Sequence, residues 1–121
     1  MKKLLPLLSV LFLIFGCSSI EPINYEKSLI ERDGIFYTKD TNIPYSGPVF
    51  SLNVNGLKKK EGYLKDGKMI SFIGFEWYEN GLRRSEINYT DGKKNGPGTW
   101  WYKDGKKSYE GIYKDGNPID G

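Results

Sequence analysis

The stretch that decides the fold is WYENGLRRSEINYTDG, residues 77–92, because it holds two turn signals at a fixed spacing. Asn80-Gly81 and Asp91-Gly92 are pairs that favour tight β-hairpin turns, and their glycines are 11 residues apart. The same arrangement occurs 25 residues earlier and 24 residues later, with a glutamate five residues after the first turn glycine in every copy. The chain therefore contains three units of about 24 residues in register. The repeated glutamates are Glu61, Glu86 and Glu110.

Two turns per unit predict two strands per unit, each running antiparallel to the one before. We expect every Asn-Gly and Asp-Gly pair to form the two-residue type I′ turn, in which both central residues have positive φ. The composition agrees, with nine Tyr, three Trp and 15 Gly and without long apolar helical patterns. The predicted fold class is all-β: a meandering antiparallel sheet of stacked β-hairpin repeats, about 24 residues each, after a signal peptide.

The alternation of side chains along each predicted strand assigns two faces to the sheet. Trp101 aligns with Trp77 of the preceding unit and is expected in the core, whereas the repeated glutamates are expected on a charged, wet face. Trp100 aligns with polar residues of the other units and is expected on that charged face, beside Tyr102 and Tyr78. Trp and Tyr are frequent in contact hot spots. Trp100, Tyr102 and Tyr78 are therefore the predicted binding residues.

Glycine occupies one interior strand position in two of the three units. Gly62 and Gly111 stand where the middle unit has Ile87. A glycine inside a strand often marks a close approach of another group to the backbone. We expect rings from the neighbouring strand to lie flat over the sheet at these positions.

The last unit resembles a known repeat family. Residues 109–116, YEGIYKDG, are similar to the core of the membrane occupation and recognition nexus (MORN) repeat, and Gly96-Pro97-Gly98 followed by Gly105 is similar to its glycine-x-glycine segment. The Trp-Tyr pairs before the turns resemble the variant in the YwqK-type antitoxin family. The resemblance covers residues 47–121 and implies a sheet of stacked hairpins without catalytic residues.

The beginning of the chain has the pattern of a secretory signal. Two lysines precede an apolar run that ends at Phe15, which is shorter than the roughly 20 residues that a helix needs to cross a bilayer. Ile14-Phe15-Gly16-Cys17 resembles the lipobox of bacterial lipoproteins, so we expect cleavage before Cys17 and lipid on its thiol. Cys17 is the only cysteine, and Ser18 after it favours the outer membrane in a cell with two membranes.

These signals divide the chain into four parts. Residues 1–16 are the lipoprotein signal peptide, residues 17–27 the lipidated cysteine and a tether, residues 28–46 a capping β-hairpin, and residues 47–121 three MORN-like repeats. The capping hairpin is expected because a terminal repeat has no neighbour on one side.

The residue types present argue against an enzyme. The chain has no histidine, and its one cysteine is assigned to lipid, so Ser-His, Cys-His and histidine-metal sites are impossible. The repeated glutamates are expected two strands apart, roughly 9–10 Å, which is near the separation in inverting glycosidases. However, they alternate with Lys and Arg on the polar face, and cross-strand charge pairing explains them better. We expect no catalytic residue, metal or cofactor.

The charge balance and the anchor together indicate the function class. Loss of Lys2 and Lys3 with the signal leaves 16 basic and 15 acidic side chains, which is not the basic surplus of a nucleic-acid reader. Basic runs follow the first turn of each unit. They are expected to keep strands soluble, with anionic lipid or a polyanionic glycan as the alternative partner. We expect a membrane-anchored, non-catalytic module that binds a protein or glycan at the cell envelope. The alternative is an antitoxin or immunity-type protein that neutralises a toxin.

Overall fold

The computed structural model describes residues 20–119, so the predicted signal peptide and Cys17 lie outside the described residues. Strands dominate this range, and none of its helices is long and apolar enough to span a membrane. The elements are β1 (Ile23–Asn24), α1 (Tyr25–Ser28), β2 (Leu29–Arg32), β3 (Ile35–Thr38), β4 (Gly47–Leu52), β5 (Lys58–Lys65), β6 (Lys68–Trp77), β7 (Arg83–Thr90), β8 (Lys93–Trp101), β9 (Lys107–Lys114) and β10 (Asn117–Ile119).

An eight-stranded sheet contains every strand except β2 and β3, in the order β1-β4-β5-β6-β7-β8-β9-β10. From β4 onward each strand is antiparallel to the next one in the chain, so the sheet is a meander. The predicted all-β fold of consecutive hairpins is therefore confirmed. At its first edge, β1 pairs with β4 in parallel, which the hairpin pattern does not predict.

The second turn of each unit has the predicted type I′ geometry. In Asp91-Gly92 the two residues have φ values of 50° and 79°, and Asp66-Gly67 and Asp115-Gly116 are alike. Aspartate tolerates this left-handed conformation better than most residues, and glycine adopts it without steric cost. Strands β5 and β6, β7 and β8, and β9 and β10 are joined in this way.

The first turn of each unit differs from the prediction, because only its glycine has positive φ. In the middle unit Gly81 has φ 88°, and its N–H donates to the Tyr78 carbonyl at 3.0 Å. The Asn80 side chain accepts from the Leu82 N–H at 3.0 Å. This is a three-residue loop with glycine in the left-handed position, the next commonest hairpin connection after type I′. The type I′ expectation was wrong for these turns. In each of them a side chain supports the longer loop by accepting from the N–H after the turn glycine: Asn53 in the first unit, Asn80 in the middle unit and Asp104 in the last.

One strand residue after each of these turns has no partner on the neighbouring strand. In β7, Arg83 pairs with Trp77 and Ser85 pairs with Glu76, so Arg84 is an extra residue, a β-bulge. The bulge recurs at the same position in the other units, at Lys59 and Ser108.

The buried cluster lies at the first end of the sheet. Helix α1 and the β2–β3 hairpin contribute Tyr25 and Leu29, which pack with Val49 of β4 and Leu64 of β5. The Phe36 N–H donates to the Gly67 carbonyl at 2.9 Å, which joins the hairpin to the β5–β6 turn. The hairpin expected to cap the first strand thus lies over one face of β4 and β5, while β1 occupies the edge.

Candidate binding surface

The meander gathers aromatic rings from four strands on one face of the sheet. Cross-strand partners project their side chains to the same face. Phe72 pairs with Tyr89, and Trp100 pairs with both Ser85 and Tyr109, so these rings share a face. It is the face on which the buried cluster covers β4 and β5. We call it the ring face, defined by Lys60, Phe72, Tyr89, Lys94, Trp100, Tyr109 and Tyr113.

Glycines two residues along the same strand leave room for the Trp100 and Tyr109 rings to lie flat. A Cβ atom added to Gly98 would stand 3.1 Å from the Trp100 ring and 3.2 Å from the Tyr113 ring. At Gly111 it would stand 2.6 Å from the Tyr109 hydroxyl oxygen, closer than real Cβ contacts. The expectation of a ring from the neighbouring strand was wrong at both predicted glycines: the ring over Gly111 belongs to Tyr109 of the same strand, and a Cβ atom on Gly62 would meet the backbone of β6. Gly98 does have a ring of the neighbouring strand beside it, that of Tyr113.

The rings also contact one another. Phe72 and Tyr89 are stacked, with centroids 4.7 Å apart and planes 15° from parallel. The Trp100 ring lies 5.4 Å from Tyr109 and 6.2 Å from Tyr113, tilted against both. Such pairs contribute about 0.5–1.5 kcal/mol each beyond the area that they bury. The ring face is therefore a preformed surface rather than a set of independent side chains.

Two lysines stand over the rings. The Lys60 ammonium is 4.7 Å from the Phe72 centroid, and the Lys94 ammonium is 5.5 Å from Trp100 and 5.1 Å from Tyr113. These distances are within the range of cation–π attraction. Within residues 20–119 neither lysine forms an ion pair with a carboxylate.

A shallow depression of about 310 Å³ interrupts the ring face between β5 and β7. Phe72 and Tyr89 line one side of it, and Glu76 and Ser85 line the other. The buried Ser85 hydroxyl donates to the Glu76 carboxylate at 3.0 Å. Burial raises the pKa of the Tyr89 hydroxyl above its usual value, and the Glu76 carboxylate acts in the same direction.

The opposite side of the sheet, which we call the glutamate face, carries the three repeated glutamates. Each accepts from a cation three residues earlier on its own strand, at N–O distances of 2.8, 2.6 and 3.2 Å. Residues three apart in a regular strand point to opposite faces, and the bulge between them brings both to one face. The expected cross-strand pairing was wrong for this reason. The pairs are Lys58–Glu61, Arg83–Glu86 and Lys107–Glu110.

A larger groove of about 740 Å³ lies on the glutamate face. Phe50, Tyr63 and Ile73 line it, and residues 21–22 of the predicted tether form part of its rim. Its charged lining residues include Lys58 and Glu61, which already pair with each other. The groove therefore offers a ligand apolar surface together with the Glu21 carboxylate.

The predicted binding residues are placed differently from the expectation. Trp100 lies on the ring face, not on the face of the glutamates, because Glu110 is paired with Thr99 and Trp100 with Tyr109. Trp101 is on the glutamate face and half-buried, outside the core cluster in which it was expected. Tyr102 and Tyr78 belong to turns rather than to either face.

The two turn tyrosines have different roles in the structure. The Tyr78 hydroxyl donates to the Trp101 carbonyl at 2.6 Å and so connects two units. Tyr102 is 56% exposed. The structure therefore does not bring the three predicted residues into one site, and the ring face contains six residues that the prediction omitted. Those residues could have been found by counting outward from each turn, since residues equally distant from a turn share a face.

Comparison with known proteins leaves the ring face as the main guide to function. No protein-family model, curated protein or solved structure matches the chain. Within the described range, no group of three or more His, Cys, Asp or Glu side chains is arranged to hold a metal ion. The ring face offers aromatic surface, two cationic amines and hydroxyl groups, and the depression in it adds the Glu76 carboxylate, so the groups needed to bind a ligand are present.

Proposed function

We propose that this protein is a membrane-anchored lipoprotein whose repeat sheet is a non-catalytic binding module at the cell envelope. The ring face is its contact surface. The observation that carries the proposal is that rings held flat over strand glycines remain accessible, with Tyr109 50% exposed. Ordinary core rings would be covered, as Tyr25 is at 6% exposure.

The rigidity of the ring face supports a binding role. Tyr and Trp supply large contact areas with few rotatable bonds, so little conformational entropy is lost when a partner orders them. Here the rings are already held by one another and by the glycine backbone beneath them. A partner then meets a surface that needs little rearrangement, which favours affinity.

The proposed anchor would keep this surface close to a membrane. Five residues lie between Cys17 and Ile23, where the sheet begins, so six Cα–Cα steps connect the two. An extended chain of that length spans at most roughly 20 Å. Lipid on Cys17 would therefore hold the first edge of the sheet near the bilayer. Several acyl chains on one cysteine make such an anchor firm.

Two substitutions on strand β9 test the contact surface. Tyr109 and Ile112 are 50% and 49% exposed, and their strand partners Trp100 and Pro97 place them on opposite faces. We expect Tyr109→Ser to reduce the partner material recovered after chemical crosslinking of intact cells, and Ile112→Ser to leave it unchanged. Loss of recovery with Ile112→Ser alone, or with neither variant, would contradict a contact surface on the ring face.

A further inference from the structure

We propose that the ring face binds an acidic glycan, a polysaccharide whose sugar rings carry anionic groups. This inference rests on the proposed binding function and names its partner class. The sugar rings would stack on the aromatic rings, and the anionic groups would meet Lys60 and Lys94.

The aromatic part of the surface suits sugar rings. A pyranose has an apolar C–H face of about the size of an aromatic ring, and flat accessible rings are what that face can stack on. The Phe72–Tyr89 pair and the Trp100 ring form two such places. Ser85, the cross-strand partner of Trp100, lies four residues from Tyr89 along β7. The two places are therefore roughly 13 Å apart. A ligand that covers both places is therefore an oligomer rather than a single sugar.

The depression between these places offers the polar groups that sugar hydroxyls need. Ligand sites combine aromatic walls with a few placed polar groups that fix orientation. The Glu76 carboxylate can accept a hydrogen bond from a sugar hydroxyl, and the Tyr89 hydroxyl can donate or accept one. Because Glu76 repels an anion, the anionic group of the ligand is directed to the Lys60 side of the depression.

The charges of the two faces differ in a way that favours an acidic ligand. On the glutamate face, Lys58, Arg83 and Lys107 are each paired with a carboxylate. Lys60 and Lys94 on the ring face have no such partner among residues 20–119. Lys60 also lines a cavity with Glu26 and Glu31, whereas Lys94 stands over two rings. An anionic group near Lys94 therefore meets positive charge beside apolar ring surface, where screening by water is weaker than in bulk.

A protein partner fits the surface less well. Protein hot spots are centred on side chains inserted into well-packed pockets. The ring face is instead covered by flat rings, and the depression between β5 and β7 is partly polar. An extended chain of sugar rings can use such a surface along its whole length.

Titration of the full-length protein in detergent with two oligosaccharides tests the inference. The probes are an oligogalacturonate and its fully methyl-esterified form, which has the same sugar rings without the charge. We expect the acidic oligomer to bind at least about tenfold more tightly than the ester, a difference of about 1.4 kcal/mol. Added salt should narrow that difference because it screens the lysines. Equal affinity for the two oligomers, or binding of neither, would overturn the inference.

Two charge-only variants locate the site. Lys94→Gln should weaken binding of the acidic oligomer roughly tenfold and leave the ester unaffected. Lys107→Gln removes a comparable amine from the glutamate face and should change neither affinity. Equal loss with both variants would overturn the inference, because the charge would then act at a distance rather than at the ring face.

The outcomes separate this inference from the proposed function. If neither oligomer binds but Tyr109→Ser still reduces crosslinking in intact cells, the partner is not an acidic glycan and the binding function stands. If Tyr109→Ser also has no effect in cells, the proposed function fails as well.

Discussion

At the scale of single residues, Trp100 and Trp101 are neighbours in the sequence with opposite surroundings. Trp100 lies over Gly98 and contacts Tyr109 and Tyr113 on the ring face. Trp101 lies on the glutamate face, where its carbonyl accepts the hydrogen bond from Tyr78. Both side chains are half-buried, so their exposure does not distinguish them. The residues that each one contacts assign Trp100 to the ring face and Trp101 to the glutamate face.

Truncation of these two tryptophans should show which face of the sheet captures the partner. Trp100→Ala removes two aromatic contacts and should cost about 1–3 kcal/mol of stability, together with most partner capture. Trp101→Ala should lower stability by loss of buried surface and leave capture by the folded protein unchanged. Thermal unfolding and crosslinking yield in cells measure the two effects. If capture of the partner depends on Trp101 and not on Trp100, the contact surface is the glutamate face and not the ring face.

At the scale of strands and turns, adjacent units are joined by hydrogen bonds from side chains of the middle unit to backbone carbonyls of its neighbours. The Trp77 indole N–H donates to the Lys58 carbonyl at 2.7 Å, which joins the middle unit to the first. Tyr78 and Asn80 donate to the Trp101 and Lys103 carbonyls, which join the middle unit to the last. Each hairpin therefore aligns the next one, and we expect the sheet to unfold as one unit.

Tyr78→Phe tests the connection between the second and third units. The substitution removes only the hydroxyl that donates to Trp101 and should cost about 0.5–1.5 kcal/mol. Tyr102→Phe is the matched control, because Tyr102 occupies the same place in the last turn with an exposed side chain. Denaturant unfolding of the two variants should show a lower midpoint for Tyr78→Phe alone. Equal midpoints would mean that this hydrogen bond does not stabilise the array.

Much of the element-level structure follows from the turn signals. The spacing of the Asn-Gly and Asp-Gly pairs predicts the strands, their antiparallel order and the second turn of each unit. It does not predict the three-residue first turn, because glycine in the left-handed position serves both turn types. The sequence prediction placed Trp100 on the wrong face of the sheet. It used the alternation of side chains along each strand and not the pairing of residues across each hairpin, which fixes the face. The parallel strand β1 has only two residues and carries no local signal.

At the scale of the whole molecule, burial of tyrosines makes the free energy of unfolding fall at alkaline pH. Burial raises the pKa of Tyr25, Tyr45 and Tyr89 above the ordinary value of 10.0. The unfolded chain therefore loses these protons first. The stabilisation is complete below about pH 10 and is lost as the pH rises through the folded pKa values.

Tyr25→Phe should reduce the loss of stability at alkaline pH, because Tyr25 is the most buried of the three tyrosines with a raised pKa. We expect the free energy of unfolding to fall less between pH 8 and pH 11 in Tyr25→Phe than in the parent. Exposed Tyr102→Phe serves as the control and should follow the parent. Parallel curves for Tyr25→Phe and the parent would show that the neutral phenol of Tyr25 is not required in the fold.

The proposed anchoring is a separate property of the whole molecule and would depend on one residue. Cys17→Ser should abolish incorporation of labelled fatty acid and leave the protein uncleaved or soluble, because serine cannot accept the thioether-linked lipid. Ser18→Ala should keep the label. Membrane fractionation with fatty-acid labelling measures both results. Unchanged labelling in Cys17→Ser would show that the chain is anchored by another means.

The most direct test of the central claim is hydroxyl-radical footprinting of the unmodified sequence, in native envelopes and after purification in detergent. Because aromatic rings are readily oxidised, both faces report in one experiment. If the ring face is the contact surface, Trp100, Tyr109 and Tyr113 should be protected in envelopes relative to the purified protein, while Trp77 and Trp101 react equally in both. Protection of Trp77 and Trp101 instead, or of neither set, would contradict the claim that this sheet binds its partner through the ring face.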